Sequence, residues 1–220
     1  MSQQDILKYG VKIIIIFLVI PLHEYAHAWA ATKLGDNTPT YQGRLTFNPL
    51  AHVDPVGAIL IFFTGFGWGR PVQVNPLNFK KYRKGMAITA AAGPIMNLIL
   101  GLISIIVYKV VWVAYAANPT DPLYWTALIF YYFTVINVGL AAFNLIPIPP
   151  LDGSKILGYF TPPKVDKFFV EYRLYITLGF VLLLVTGALD IPLGWIQNGM
   201  FWLMDKLTFW ADPIARAIIH

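Results

Sequence analysis

From Ile13 to Ile20 the chain reads IIIIFLVI, eight positions without a polar side chain, and Ala28–Ala31 resume that apolar character. A spanning helix needs about 20 mostly apolar residues, because each adds about 1.5 Å across a hydrocarbon core of about 30 Å. Stretches that meet this demand lie at about 6–32, 86–116, 124–148 and 173–190. A weaker region at about 193–219 mixes Asp205, Lys206, Asp212, Pro213 and Arg216 with Trp195, Trp202, Phe209 and Trp210, the pattern of a helix lying partly in the interface. Between the first two spans the period changes. TYQGRLTF (40–47) and RPVQVN (70–75) alternate in the partial manner of strands, and VGAILIFFTGFGW (56–68) is apolar yet too short to cross. The pattern predicts an all-α polytopic membrane protein with about four to six transmembrane helices. A membrane-dipping loop and short β-strands are expected between the first two spans. Backbone at that depth must be covered by protein or line a water-filled cavity; an interfacial loop with exposed aromatics is the alternative.

Composition agrees. The 220 residues are 57% hydrophobic and 12% charged, with a mean hydropathy of +0.61, far from the roughly 25% charged content of soluble domains. The first apolar run holds ionisable residues and lacks a small-residue cleavage pattern, so it is expected to remain as a span rather than act as a leader. With no cysteine in the chain, any metal must be held by His, Asp or Glu. Lys33, Arg44, Arg70, Lys80, Lys81, Arg83 and Lys84 crowd the connection at 33–85, and Lys155, Lys164 and Lys167 the one at 151–172, whereas 117–123 has no cation. This bias places the first two connections in the cytoplasm and the N-terminus outside, with Lys8 and Lys12 as mild counter-evidence. The net charge of +5 therefore follows the membrane edges, and no nucleic-acid partner is expected.

Into the first span fall His23, Glu24 and His27, the HEYAH of residues 23–27. Residues four apart share a helical face, so the two imidazoles can grip one metal ion. Glu24 is turned by one residue, where it can take a proton from water at the metal without ligating. Zinc suits nitrogen and oxygen donors in a tetrahedral site with one position open to water, whose pKa it lowers toward neutrality. Ionisable groups near the bilayer centre cost several kcal/mol each, from about 2.5 upward, so three in five residues demand a partner. Bonds from the histidines to neighbouring helices would be the structural alternative.

A second candidate is FNLIPIPPLDGSK, residues 143–155. Pro147, Pro149 and Pro150 remove backbone donors and stop the helix, and Asp152 is presented from irregular backbone at the membrane border. A plain turn closing the helix reads equally well from these residues alone.

Taken together, HEYAH in a hydrophobic span and NLIPIPPLDG (144–153) more than 100 residues later resemble the site-2 protease family of intramembrane zinc metalloproteases. The family form N-x-x-P-x-x-x-x-D-G is matched by Asn144, Pro147, Asp152 and Gly153. GPIMN (93–97) and NPLAHVDPVG (48–57) are similar to motifs of the bacterial branch. The likeness covers most of residues 10–160 and says much less about 173–220.

The resemblance implies one zinc ion bound by His23, His27 and Asp152, water activated by Glu24, and Asn144 near the scissile peptide. It implies cleavage of transmembrane segments of membrane proteins, often after a first cut elsewhere. The expected organisation is a single membrane-embedded domain over 1–220, in the compact form without PDZ or CBS domain, with a catalytic core at about 6–160 and membrane-associated helices at about 173–220. The expected location is the cell membrane with the active site toward the cytoplasm. Glu24 lies nine residues before Lys33, roughly 14 Å at the helical rise, which buries the site below that surface. Strands at 40–47 or 70–75 would hold an unwound substrate by edge pairing. His52 is a rival third ligand or a substrate-binding group; a histidine in an interfacial turn is the bland alternative. Asn144 can donate to a substrate carbonyl or developing oxyanion. Asn97 fits helix packing or an approach to the zinc site, and Gly93 close packing. A metal-ion transporter or metal-binding scaffold is the competing function, disfavoured because the donors form one cluster and not a series across the membrane.

Overall fold

The computed structural model describes residues 3–64 and 67–219, with side chains from Tyr9 onward. The chain folds into helices. Those that bear on the site are α1 (Gln3–Ile14), α2 (Ile20–Lys33), α3 (Thr38–Tyr41), α4 (Pro55–Thr64), α5 (Tyr82–Ala117), α6 (Asp121–Asn144), α7 (Asp152–Phe160) and α8 (Pro163–Glu171). They are followed by α9 (Arg173–Val185), α10 (Asp190–Leu207) and α11 (Ala211–Ile219).

Among the described residues, three helices are long and apolar enough to cross a membrane: Tyr9–Lys33, Tyr82–Ala117 and Asp121–Asn144. The expectation of about four to six is met at its lower end if α8 and α9 count as one span bent by 78°, and the described residues otherwise hold three. Alone, the 13 residues of α9 extend about 20 Å, short of a hydrocarbon core of about 30 Å.

The first span is continuous only because of a local adjustment. Pro21 has no N–H and its ring crowds the preceding turn. Residues Ile15–Val19 form a π-helical turn just ahead of it, the wider winding that inserts a residue into an α-helix. That winding accommodates Pro21, and α2 carries the histidines onward.

The expected strands do not form among the described residues. Residues 38–41 are helical, Gly43 turns the chain at φ 66°, and one isolated antiparallel bridge, Val53 to Gly69, stands in place of a hairpin. The reason lies in the donors of 70–75. The Arg70 N–H goes to the His52 carbonyl, Pro71 has none, the Val72 N–H goes to the Glu24 carboxylate and the Asn75 N–H to Asp36. Tertiary acceptors have taken the groups that a ladder would need.

The segment expected to dip is a helix, α4, capped at both ends. Asp54 accepts from the N–H groups of Val56 and Gly57 at 3.0 and 2.9 Å, and Lys12 of α1 donates to the carbonyl of Phe62 in the last turn, so the end charges of the helix are met inside the protein. Tyr9 stacks on Phe62 beside this contact. Gly65 and Phe66, in the expected dip, lie outside the described residues. Beyond them the chain returns against α4 so closely that a Cβ on Gly57 would stand 2.0 Å from the Trp68 carbonyl oxygen.

Candidate metal centre

α2 presents His23 and His27 one turn apart, both buried. Their Nε2 atoms are 3.0 Å apart. After α6 ends at Asn144, residues 145–151 fold back, and a Cβ on Gly153 would meet the Leu145 and Ile146 carbonyl oxygens at 2.4 Å. This tight return starts α7 and delivers Asp152, whose Oδ2 lies 3.3 Å from His23 Nε2 and 3.1 Å from His27 Nε2. Two imidazole nitrogens and a carboxylate oxygen thus converge on one point from two remote segments.

The His27 Nδ1–H donates to the Thr89 carbonyl at 2.7 Å, which fixes the tautomer and leaves the Nε2 lone pair directed into the cluster. Three lone-pair donors this close repel one another unless a cation lies between them. Tetrahedral zinc with bonds of about 2.0–2.1 Å separates its donors by about 3.3 Å, so the observed triangle fits the ion. Glu24 joins the group, with a carboxylate oxygen within 4.8 Å of a nitrogen of each histidine. Its Oε2 accepts from the Val72 N–H at 3.0 Å, which leaves Oε1 to act on a proton.

The fourth wall of the centre is Gly93 of α5, read from the sequence as packing. A Cβ there would stand 2.5 Å from the Nε2 atoms of both histidines. Its packing partners are the two histidine rings themselves. The signal was the small residue in GPIMN, but its target could not be known before the helices were paired.

Other expected residues are placed differently. His52 is fully buried, but its ring bonds through Nε2 to the Thr46 carbonyl and stands outside the convergent set; Asp152, not His52, completes the triangle. The Asn144 amide donates to Leu140 of its own helix at 3.0 Å and keeps a second N–H and its oxygen for other partners. Asn97, one turn beyond Gly93, is fully buried with neither amide atom partnered among the described residues.

A family model described as peptidase family M50 matches residues 121–185. "Putative zinc metalloprotease YwhC" of Bacillus subtilis is 40% identical over 188 residues, covering 83% of this chain and 81% of the relative. This protein belongs to peptidase family M50, the site-2 proteases. "Putative zinc metalloprotease Rip2" of Mycolicibacterium smegmatis is 28% identical over 89% of this chain and 74% of its own length. "Zinc metalloprotease MJ0392" of Methanocaldococcus jannaschii is 24% identical over 68% of this chain and 34% of its own. No solved structure gives a significant match. This M50 peptidase is accordingly a zinc metalloprotease and a membrane protein. The matched model covers Asn144 and Asp152, while HEYAH lies outside it.

The segment that meets Glu24 is itself anchored. Asp36, buried just past α2, accepts from the Thr38 N–H and hydroxyl, from the Asn78 amide and from the Asn75 N–H, the last two at 2.7 Å. Burial pushes the Asp36 carboxyl up, but these four bonds outweigh it and hold the group below its ordinary value of 3.8. A carboxyl depressed in this way stabilises the fold fully above its unfolded value, and that contribution is lost as pH falls through the lower folded value. Asp36→Asn, which sets an amide donor against other donors, is expected to cost about 1–3 kcal/mol at neutral pH. The gap to wild type should close below pH 3.8, as measured by denaturant unfolding of the solubilised protein at both pH values.

Proposed function

We propose that this M50 peptidase is an intramembrane endopeptidase that hydrolyses peptide bonds within or near transmembrane segments of other membrane proteins, in regulated intramembrane proteolysis. The observation that carries this reading is the convergence of Asp152 on His23 and His27 within the first span. Glu24 sits roughly 14 Å of helix from Lys33, among helices apolar enough to cross a bilayer. The distribution of Lys and Arg supports a centre opening toward the cytoplasmic face of the cell membrane.

His23, His27 and Asp152 would hold one zinc ion. Bound there, zinc supplies a Lewis acid for the peptide carbonyl and a nucleophilic water near neutral pH. Glu24 takes the proton of the attacking water on the oxygen that Val72 leaves free, and returns it to the departing amine nitrogen. Thr89 keeps His27 in the metal-binding tautomer throughout. Asn144, at the end of α6, is placed to hydrogen-bond the substrate backbone with the N–H that Leu140 does not use. The substrate helix must unwind to present a bond, since its amides are otherwise internally bonded. Edge pairing on strands is not the means, because those strands are absent; His52 supports the turn beside the site.

The test is to map cleavage of a helical membrane substrate by mass spectrometry, in proteoliposomes containing the full chain with and without a zinc chelator. Expected are cuts inside the apolar segment that vanish on chelation and return with zinc. Cuts confined to extramembrane loops would overturn the intramembrane reading, and zinc flux without peptide hydrolysis would favour transport.

A further inference from the structure

Each histidine of the triangle has a second ring nitrogen, and the two are treated differently. His27 Nδ1 reaches the Thr89 carbonyl at 2.7 Å, whereas His23 Nδ1 is buried with no partner among the described residues. Metal-binding histidines almost always donate that N–H to a carboxylate, a carbonyl or a water, which fixes tautomer and ring orientation. A buried donor left without an acceptor is costly. An acceptor for His23 is therefore to be sought on the helices packed against it.

α2 and α5 run antiparallel along this face: His27 meets Thr89 and Gly93, and His23 meets Gly93. The next turn of α5 carries Asn97, fully buried with its amide nitrogen and oxygen both unpartnered among the described residues. Four residues turn a helix by about 400°, so each such step swings the face by about 40°. Gly93 faces the rings of α2, and two steps on, a Cβ at Gly101 would lie 3.6 Å from Asn137 Cβ and Val138 Cγ2 of α6. Asn97, between them, faces the junction of α2 and α6. Helical side chains lean toward the N-terminus, over the preceding turn, and that turn is Gly93, which has no side chain. The Asn97 amide is thus carried toward the space bordered by His23 Cε1, the ring atom bonded to Nδ1. Across the junction the buried Asn137 spends its Nδ2 on the Phe133 carbonyl at 2.8 Å and keeps Oδ1 unpartnered. A ring N–H and two amide oxygens, none bonded directly to another, together offer the three hydrogen bonds that a buried water typically makes.

We propose that Asn97 is a positioning residue of the metal centre: it holds a buried water that accepts the His23 Nδ1–H and donates to the oxygens of Asn97 and Asn137. This water does for His23 what the Thr89 carbonyl does for His27, leaving the Nε2 lone pair free for the metal. The proposal rests on the reading of His23 as a metal donor and adds that its ring is oriented from α5 and α6.

The test uses the full chain purified in detergent, with zinc affinity measured by chelator competition and ring protonation by NMR of the 15N-histidine-labelled protein, assigned by single histidine substitutions. Wild type is expected to show a protonated His23 Nδ1 with a nuclear Overhauser contact to a bound water. Asn97→Leu, close in size but without either polar atom, should weaken zinc binding about 10–100-fold, the usual loss when an outer partner is removed, and erase the water contact. Asn97→Ser, which keeps a hydroxyl and leaves the water more room, should restore most of the affinity. Ser104→Ala, further along α5 with its buried hydroxyl spent on the Phe130 carbonyl, should leave zinc binding unchanged. Because Asn97 and Asn137 anchor one water, Asn97→Leu combined with Asn137→Leu should bind zinc no more weakly than Asn97→Leu alone, whereas independent structural losses would add. Wild-type zinc affinity in a folded Asn97→Leu protein would overturn the proposal, as would equal losses in Ser104→Ala. Should Asn97→Leu not fold, the wild-type spectrum decides: a His23 Nδ1 without a bound-water contact overturns the water. A wild type that binds no zinc would instead overturn the metal centre itself.

Discussion

Glu24→Gln is expected to leave the protein with its full zinc content and to lower peptide hydrolysis by about 10²–10⁴-fold, the usual contribution of a general base. The separation of the two readouts follows from position. Glu24 is one residue removed from the face that carries His23 and His27, and the three donors that form the tight triangle are His23, His27 and Asp152. The glutamine keeps an oxygen that can accept from the Val72 N–H, so the chain at 70–75 stays seated. What is lost is the basicity. Metal content by mass spectrometry of the purified variant, set against its rate on a helical substrate, decides the matter; a variant that cleaves at the wild-type rate would sink the assignment of Glu24. In cells the same variant should accumulate uncut membrane proteins, and comparing its membrane proteome with that of the wild type would identify them.

Gly93→Ala is expected to abolish zinc binding, and with it activity. The added methyl would lie 2.5 Å from His23 Cε1 and from the Nε2 atoms of both histidines, well inside van der Waals contact. The obstacle is not the flexible end of a side chain but two rings held in place, one of them by the Thr89 carbonyl. Either α5 shifts away from α2 or the rings rotate, and a metal site tolerates neither, since its donors must hold their distances within about 0.2 Å. Thermal unfolding should show a folded protein, because alanine is a better helix former than glycine by about 1 kcal/mol. Full zinc occupancy in a folded Gly93→Ala protein would show that α5 does not press on the centre.

The spans were legible because long apolar runs have few alternatives. HEYAH was legible because a membrane helix tolerates three ionisable groups in five residues only for a reason. Asp152 could be read only through its likeness to a family motif, since three prolines before an acid also make an ordinary turn. What the sequence concealed were partnerships made in three dimensions. Residues 70–75 alternate like a strand, yet their amides are spent on Glu24, His52 and Asp36, none of which is adjacent in the chain. Gly93 shows the same limit: its missing side chain was visible, and the rings that require its absence were not. At the C-terminal end, α9 is apolar but short, and whether it adds a fourth span turns on the 78° bend from α8, which the sequence did not reveal.

Asp152 follows His27 by 125 residues, with the two long apolar helices α5 and α6 between them. The third donor therefore does not exist until most of the chain has been made and inserted, and closing a loop of that length is entropically costly without the helices to carry its ends together. If these three residues hold the metal as proposed, dividing them between the first span and the segment after α6 leaves the nascent chain without its centre until Asp152 has been made.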